Sequence, residues 1–109
     1  MIDRDLQLDA LGDGTRRAIV QTLRAQGAMA VGELALRFPI SRPAISQHLK
    51  ILKDARLVAD EAQGRRRLYR LDPAGFSSLR DYFDQFWTEA LEAFAQHVEA
   101  RTTRRRRKS

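Results

Sequence analysis

Apolar residues recur at helical spacing along most of the chain, most sharply between Arg42 and Ala55. At about 100° per residue that stretch divides into two faces. Ala44, Ile45, His48, Leu49, Ile51, Leu52 and Ala55 fall on one side; Arg42, Pro43, Ser46, Gln47, Lys50, Lys53 and Asp54 fall on the other. The split predicts an amphipathic helix. Ser41 stands just before its first turn as an N-cap. Pro43 lies within that turn, where its missing N–H leaves no helical bond unmade. Upstream, Val31, Leu34, Ala35 and Phe38 predict a shorter helix, joined to the first by the turn Pro39-Ile40-Ser41.

Earlier still, Ile2, Leu6, Leu8 and Leu11 mark a short amphipathic helix, interrupted at Asp13-Gly14-Thr15. Asp13 or Thr15 can cap the next helix, Arg16 to Ala25, which turns Ile19, Val20 and Leu23 inward and stops at Gln26-Gly27. Period-two alternation predicts two strands, Leu57 to Ala62 and Arg66 to Leu71, around Gln63-Gly64-Arg65. In the second strand Arg67, Tyr69 and Leu71 share one face and Arg66, Leu68 and Arg70 the other. Asp72-Pro73 then pairs an N-cap residue with proline at a first helical position. Behind it Leu79, Tyr82, Phe83, Phe86, Trp87, Ala90, Leu91, Phe94, Ala95 and Val98 recur every three or four residues. Such a stripe runs for about 25 residues, roughly 40 Å of helix.

Five of the chain's eight aromatic residues lie in that stripe, between Tyr82 and Phe94. A domain of 109 residues cannot cover so long an apolar seam from within. The expected cover is the same helix of a second copy, joined by Leu6 of the N-terminal helix. A ligand pocket along the stripe is the alternative.

Composition suits a folded globular chain, with 43% hydrophobic and 31% charged residues. There is no long apolar run for a membrane span and no signal-peptide pattern, so a cytoplasmic protein without membrane contact is expected. Cysteine is absent, which removes disulfides, thiolate metal sites and thiol redox chemistry. The net charge of +6 needs dissection. Six basic residues in 101–109 account for all of it, and 14 basic and 14 acidic residues remain. The remainder is segregated: residues 37–70 hold nine basic and three acidic side chains, whereas 71–100 hold one and six. One positive surface should result.

That surface has a chemistry. The polar face of the Arg42 helix offers Arg, Ser, Gln and Lys, the side chains that hydrogen-bond base edges and phosphates. Arginines near the hairpin tip suit a wing that reaches phosphates or a minor groove; the alternative is a basic hairpin without a role. Arg16 and Arg17 are open to either reading, as phosphate contacts or as a solvated helix start.

The segment SRPAISQHLKILKDARLV, with LGDGTRRAIVQTL before it and GRRRLYRLDP after it, resembles the ArsR family of bacterial winged helix-turn-helix transcriptional regulators over roughly residues 5 to 75. The resemblance implies a mainly α fold with a small two-stranded β wing, dimerising through the long C-terminal helix and the N-terminal helix. Residues 1–100 would form the DNA-binding and dimerisation domain; 101–109, which hold no apolar residue, are expected from composition to be a basic disordered tail adding nonspecific DNA affinity or solubility. The function implied is that of a homodimeric repressor on an inverted-repeat operator in double-stranded DNA. The recognition helix would present Arg42, Pro43, Ser46, Gln47 and Lys50, and the wing Arg65, Arg66 and Arg67. Leu6, Leu79, Tyr82, Phe83, Phe86, Trp87, Ala90, Leu91 and Phe94 would form the dimer interface.

Three departures from the family pattern matter. Gly14 replaces a usual proline, which loosens the start of a helix. Metal-sensing members carry cysteines in the first helix of the motif; here Gly32-Glu33-Leu34-Ala35-Leu36-Arg37 offers no soft donor. Arg56 stands where glycine normally closes the recognition helix in the left-handed conformation, which costs an arginine on the order of 1 kcal/mol. Either Arg56 bears that strain or the helix ends differently.

No catalytic constellation is expected. Ser46, His48 and Asp54 lie on different faces of one helix, and no phosphate-binding or nucleotide-binding glycine motif is present. His48 faces the apolar side, where a packed, hydrogen-bonded histidine is expected. His97 near the end of the long helix would need partners from a second copy to hold zinc or nickel, so no metal and no cofactor are assigned. A small-molecule effector entering between the long helices would make the protein a ligand-responsive switch, but no residue names one. A module that binds a heterologous protein through the long helix is a separate reading.

Overall fold

The computed structural model describes residues 2–108, with side chains through Thr102. Helices α1 (Arg4–Leu11) and α2 (Gly14–Gln26) lead into a two-residue strand, β1 (Met29–Ala30). Helices α3 (Val31–Ala35) and α4 (Arg42–Asp54) follow, then strands β2 (Val58–Gln63) and β3 (Arg66–Leu71), and finally α5 (Pro73–Lys108). The chain divides into two compact units, Met1–Leu79 and Arg80–Ser109, and the division falls inside α5.

Side-chain caps start α1, α2, α4 and α5. Asp3 caps α1 by accepting the Leu6 N–H at 3.2 Å, and Asp13, not Thr15, caps α2 through the Arg16 N–H at 2.9 Å. That bond holds the Asp13 carboxyl below its ordinary value. Gly27, at φ +81°, ends α2, and Asp72 caps α5 through the Ala74 N–H. Arg16 and Arg17 turn out to serve the fold. The Arg16 Nε donates to the Ala10 carbonyl at 2.7 Å and the Arg17 guanidinium to that of Leu11 at 2.8 Å. Two cations thus cover the carbonyl end of α1, which favours positive charge.

The core draws Ile19 and Leu23 from α2, Leu34 from α3, Ile45, Leu49 and Leu52 from α4, and Leu57 and Val58 from the strand that follows. Full burial of each such side chain contributes about 1.5–3 kcal/mol. Leu79, expected in the dimer seam, belongs instead to this core at 7% exposure, because it still lies in the first turns of α5, beside the first unit's apolar face. In α1, Gln7 and Ala10 are the buried residues, and Leu6 is 46% exposed.

The sheet has three antiparallel strands in the order β1-β3-β2, with Met29 opposite Tyr69 and Val58 opposite Leu71. The expected two-stranded wing is therefore seated on a third strand, which at two residues is too short to show alternation. Pairing along both edges of β3 compensates for the marginal stability of an isolated hairpin.

Arg56 bears the strain. Its φ is +62°, its N–H bonds the Lys53 carbonyl at 2.9 Å, and the Leu57 N–H bonds that of Leu52 at 3.0 Å. This is a Schellman closure made without glycine. The first turn of α5 packs onto it. Gly75 lies so close that a Cβ there would come within 1.5 Å of the Arg56 carbonyl oxygen. The buried Gln7 Nε2 donates to the Gly75 carbonyl at 3.0 Å. One glycine thus fixes α1, the end of α4 and the start of α5 together.

In the second unit, Phe86, Trp87, Leu91, Phe94 and Val98 are exposed, Phe94 by 65%. Neighbouring rings meet edge to face, Tyr82 with Phe83 and Phe86 with Trp87. Helix α5 continues to Lys108, through the stretch whose composition pointed to disorder. Arg and Lys are good helix formers, and extending an existing helix needs no new nucleus. Ser109 and the side chains of 103–109 lie outside the described residues, and with them the tail's expected role. No helix among the described residues is long and apolar enough to cross a membrane.

Candidate nucleic-acid interface

Helix α4 is oriented by its apolar face. Ile45, Leu49 and Leu52 are fully buried and Ala44 and His48 half-buried. Ile51 departs from the expected face and is 39% exposed, since it sits at the edge of the apolar arc. Every residue of the predicted polar face is exposed: Arg42, Pro43, Ser46, Gln47, Lys50, Lys53 and Asp54. Ser41 accepts the Ala44 N–H at 3.2 Å, so the helix starts where the sequence placed its cap. His48 is anchored from behind, with Nδ1 3.4 Å from the Arg16 guanidinium. It helps seat the helix and leaves the outer face to Ser46 and Gln47.

The wing is tied to this helix-turn-helix by two carboxylates. Asp60 on β2 receives Lys53 from the last turn of α4 at 2.8 Å and Arg67 from β3 at 2.7 Å, with its own side chain only 8% exposed. The Lys53 ammonium, aided by Arg67, holds the Asp60 carboxyl below its ordinary value against the opposing effect of burial. Glu33 of α3 accepts the Ala30 backbone N–H at 3.1 Å and also the Arg66 guanidinium. Neither acid carried a sequence signal, because each faces partners that only the fold brings near.

Between α3, the first turn of α4 and the wing lies an open groove of about 500 Å³. Arg42, Arg65, Arg66 and Arg67 line it, with Glu33 as its acid and Val31 and Leu36 among its apolar walls. The structure therefore brings the three wing arginines together with Arg42. Ser46, Gln47 and Lys50 stay outside the groove, exposed along α4. Arg42 and Arg65 form no ion pair among the described residues. Such a surface attracts polyanions and offers hydrogen-bond donors in a rigid frame. Among the described residues no group of three or more His, Cys, Asp or Glu gathers to hold a metal.

Two helices joined by a turn, followed by a β-hairpin braced against the second of them, define a winged helix-turn-helix protein. Residues 11–61 match the helix-turn-helix domain family. The HTH-type transcriptional regulator Rv2034 of Mycobacterium tuberculosis is 57% identical over 96 residues, covering 88% of this chain and 89% of that protein. The arsenical resistance operon repressor of Escherichia coli is 35% identical over 91 residues, or 81% of this chain and 78% of that protein. A solution structure from Mycobacterium bovis is described as the homodimeric winged helix-turn-helix DNA-binding domain of a possible ArsR-family regulator. It matches with a TM-score of 0.58 and 30% identity, covering 77% of this chain and 74% of that one. The chain belongs to the ArsR family of DNA-binding transcriptional regulators. With no cysteine, it is a member without the thiolate metal site.

Proposed function

We propose that the protein is a cytoplasmic homodimeric repressor that closes along α5 and reads an inverted-repeat operator in double-stranded DNA. Arg42, Ser46, Gln47 and Lys50 of α4 contact base edges and nearby phosphates, with Pro43 packed against the backbone in the same turn. Arg65, Arg66 and Arg67 of the wing hold the flanking phosphates. The observation that carries this reading is the shared groove, where Arg42 of the recognition helix and the three wing arginines meet. Support for the dimer comes from the exposed stripe of Phe83, Phe86, Trp87, Ala90, Leu91 and Phe94, together with Leu6 and the half-buried Tyr82. A two-fold axis sets the two recognition helices into successive major grooves, about 34 Å apart. An effector, if one operates, acts by changing that spacing.

Selection of bound duplexes from a random library, followed by footprinting, tests the proposal. An inverted repeat is expected, and a single asymmetric half-site contradicts it. Gln47→Ala should change the selected sequence, whereas Arg66→Ala should weaken binding to all sequences and flatten the salt dependence. If the two variants behave alike, the division of labour is wrong.

A further inference from the structure

The groove beside the wing contains a charge that works against its apparent purpose. Glu33 is the acid among four arginines, on the surface proposed to meet a polyanion. Its carboxylate is half exposed and faces whatever enters. It is also held in place, because Oε1 accepts the Ala30 N–H at the start of α3 while receiving the Arg66 guanidinium. Arg66 is thereby fixed against the helix-turn-helix, and much of its charge is spent inside the protein. Arg42 and Arg65 remain without a carboxylate partner among the described residues. The walls add Val31 and Leu36, the latter 89% exposed. A cationic seat beside an apolar wall fits a phosphodiester with its deoxyribose better than a free inorganic anion.

We infer that Glu33 is a positioning residue that sets the wing arginine and limits non-specific adhesion of the groove to the sugar-phosphate backbone. The inference rests on the proposed DNA contact of the wing. It adds a residue that contact did not include, acting through Arg66. Non-specific binding is almost wholly phosphate electrostatics, so a fixed negative charge in the seat lowers it directly. Removing the charge returns to Arg66 the part of its charge that the internal pair holds, and strengthens its hold on the phosphate it already meets.

The test uses the full chain and a 30-base-pair duplex of mixed sequence, with binding followed by fluorescence anisotropy across a salt series. Glu33→Gln keeps the oxygen that accepts the Ala30 N–H, and thermal melting verifies the fold. It should bind the duplex about two- to fivefold more tightly, the range of an exposed ion pair. The slope of log K against log salt should steepen, by less than the roughly 0.9 of one whole additional phosphate. Glu33→Asp keeps the charge and should stay within about twofold of the parent. A merely structural Glu33 would move the melting curve but not the salt slope. If Glu33→Gln binds equally or more weakly while Arg66→Ala still weakens binding, the inference fails and the wing contact stands. If Glu33→Asp matches Glu33→Gln, charge is not the cause and the inference fails. If Arg66→Ala changes nothing, the wing does not meet DNA, and the inference falls with that reading.

Discussion

Gly75→Ala separates packing from propensity by its sign. Helix propensity alone favours alanine over glycine by about 1 kcal/mol. The structure demands the opposite. A Cβ on Gly75 would sit 1.5 Å from the Arg56 carbonyl oxygen and 2.6 Å from its carbon, both backbone atoms. Restoring ordinary contact requires the start of α5 and the end of α4 to separate by roughly 2 Å. That movement strains the Asp72 N–H bond to the Leu57 carbonyl, now 2.9 Å, and the Gln7 bond to the Gly75 carbonyl. Overpacking costs about 1–3 kcal/mol. The buried Gln7 amide, whose Oε1 already has no partner, would lose its one bond at about 1–3 kcal/mol more. Less the propensity gain, Gly75→Ala should destabilise by about 1–5 kcal/mol, with Tm falling by roughly 4–8 °C for each kcal/mol. Urea unfolding followed by circular dichroism measures it, at several protein concentrations because self-association raises apparent stability. Gly14→Ala is the control. There the nearest atom is the mobile end of Arg17 at 3.5 Å, so stability should hold or rise slightly. Equal or greater stability for Gly75→Ala would refute the close approach and the fixed junction built on it.

Asp60→Asn removes the brace between α4 and the wing, at about 1–2 kcal/mol because Lys53 and Arg67 are themselves half exposed. The Asp60 carboxyl lies below its ordinary value of 3.8 when folded, so its contribution is present above that value and lost as pH falls through the lower folded one. Parent stability should therefore fall below about pH 5 more steeply than that of Asp60→Asn, and parallel acid melting curves would count against the bridge. Along α5, Trp87→Glu or Phe94→Glu should shift sedimentation from dimer toward monomer, with the dissociation constant rising by about 30-fold or more for a lost aromatic anchor. Unchanged sedimentation would place the seam elsewhere.

What the sequence disclosed follows from the range of each interaction. Ser41, Asp13 and Asp72 act within three residues, so their caps were open to reading, although Asp13 and Thr15 could not be separated until Arg16 was seen to bond Asp13. The faces of α4 follow from one helix's own geometry, and only Ile51, at the boundary, went astray. Arg56 was visible as a conflict, and the choice between strain and another helix end depended on Gly75, 19 residues later, taking its place. Gln7 gave no signal at all. A polar residue on a short helix reads as solvent-facing unless its distant partner, the Gly75 carbonyl, is known.

The same limit governs the interface. Counting nine basic residues in 37–70 located the positive surface but overstated its strength. Lys53 and Arg67 are tied to Asp60, and Arg66 to Glu33, so three of those cations already have carboxylate partners. The carboxylates sit on α3 and β2, and they make the wing a fixed part of the frame rather than a loose basic arm. A rigid wing loses less freedom when it meets DNA, which offsets part of the attraction given up to the internal pairs. Among the described residues the other six, Arg37, Arg42, Lys50, Arg56, Arg65 and Arg70, have no carboxylate partner. Long-range attraction should follow those six side chains in each copy, and the paired ones should add less.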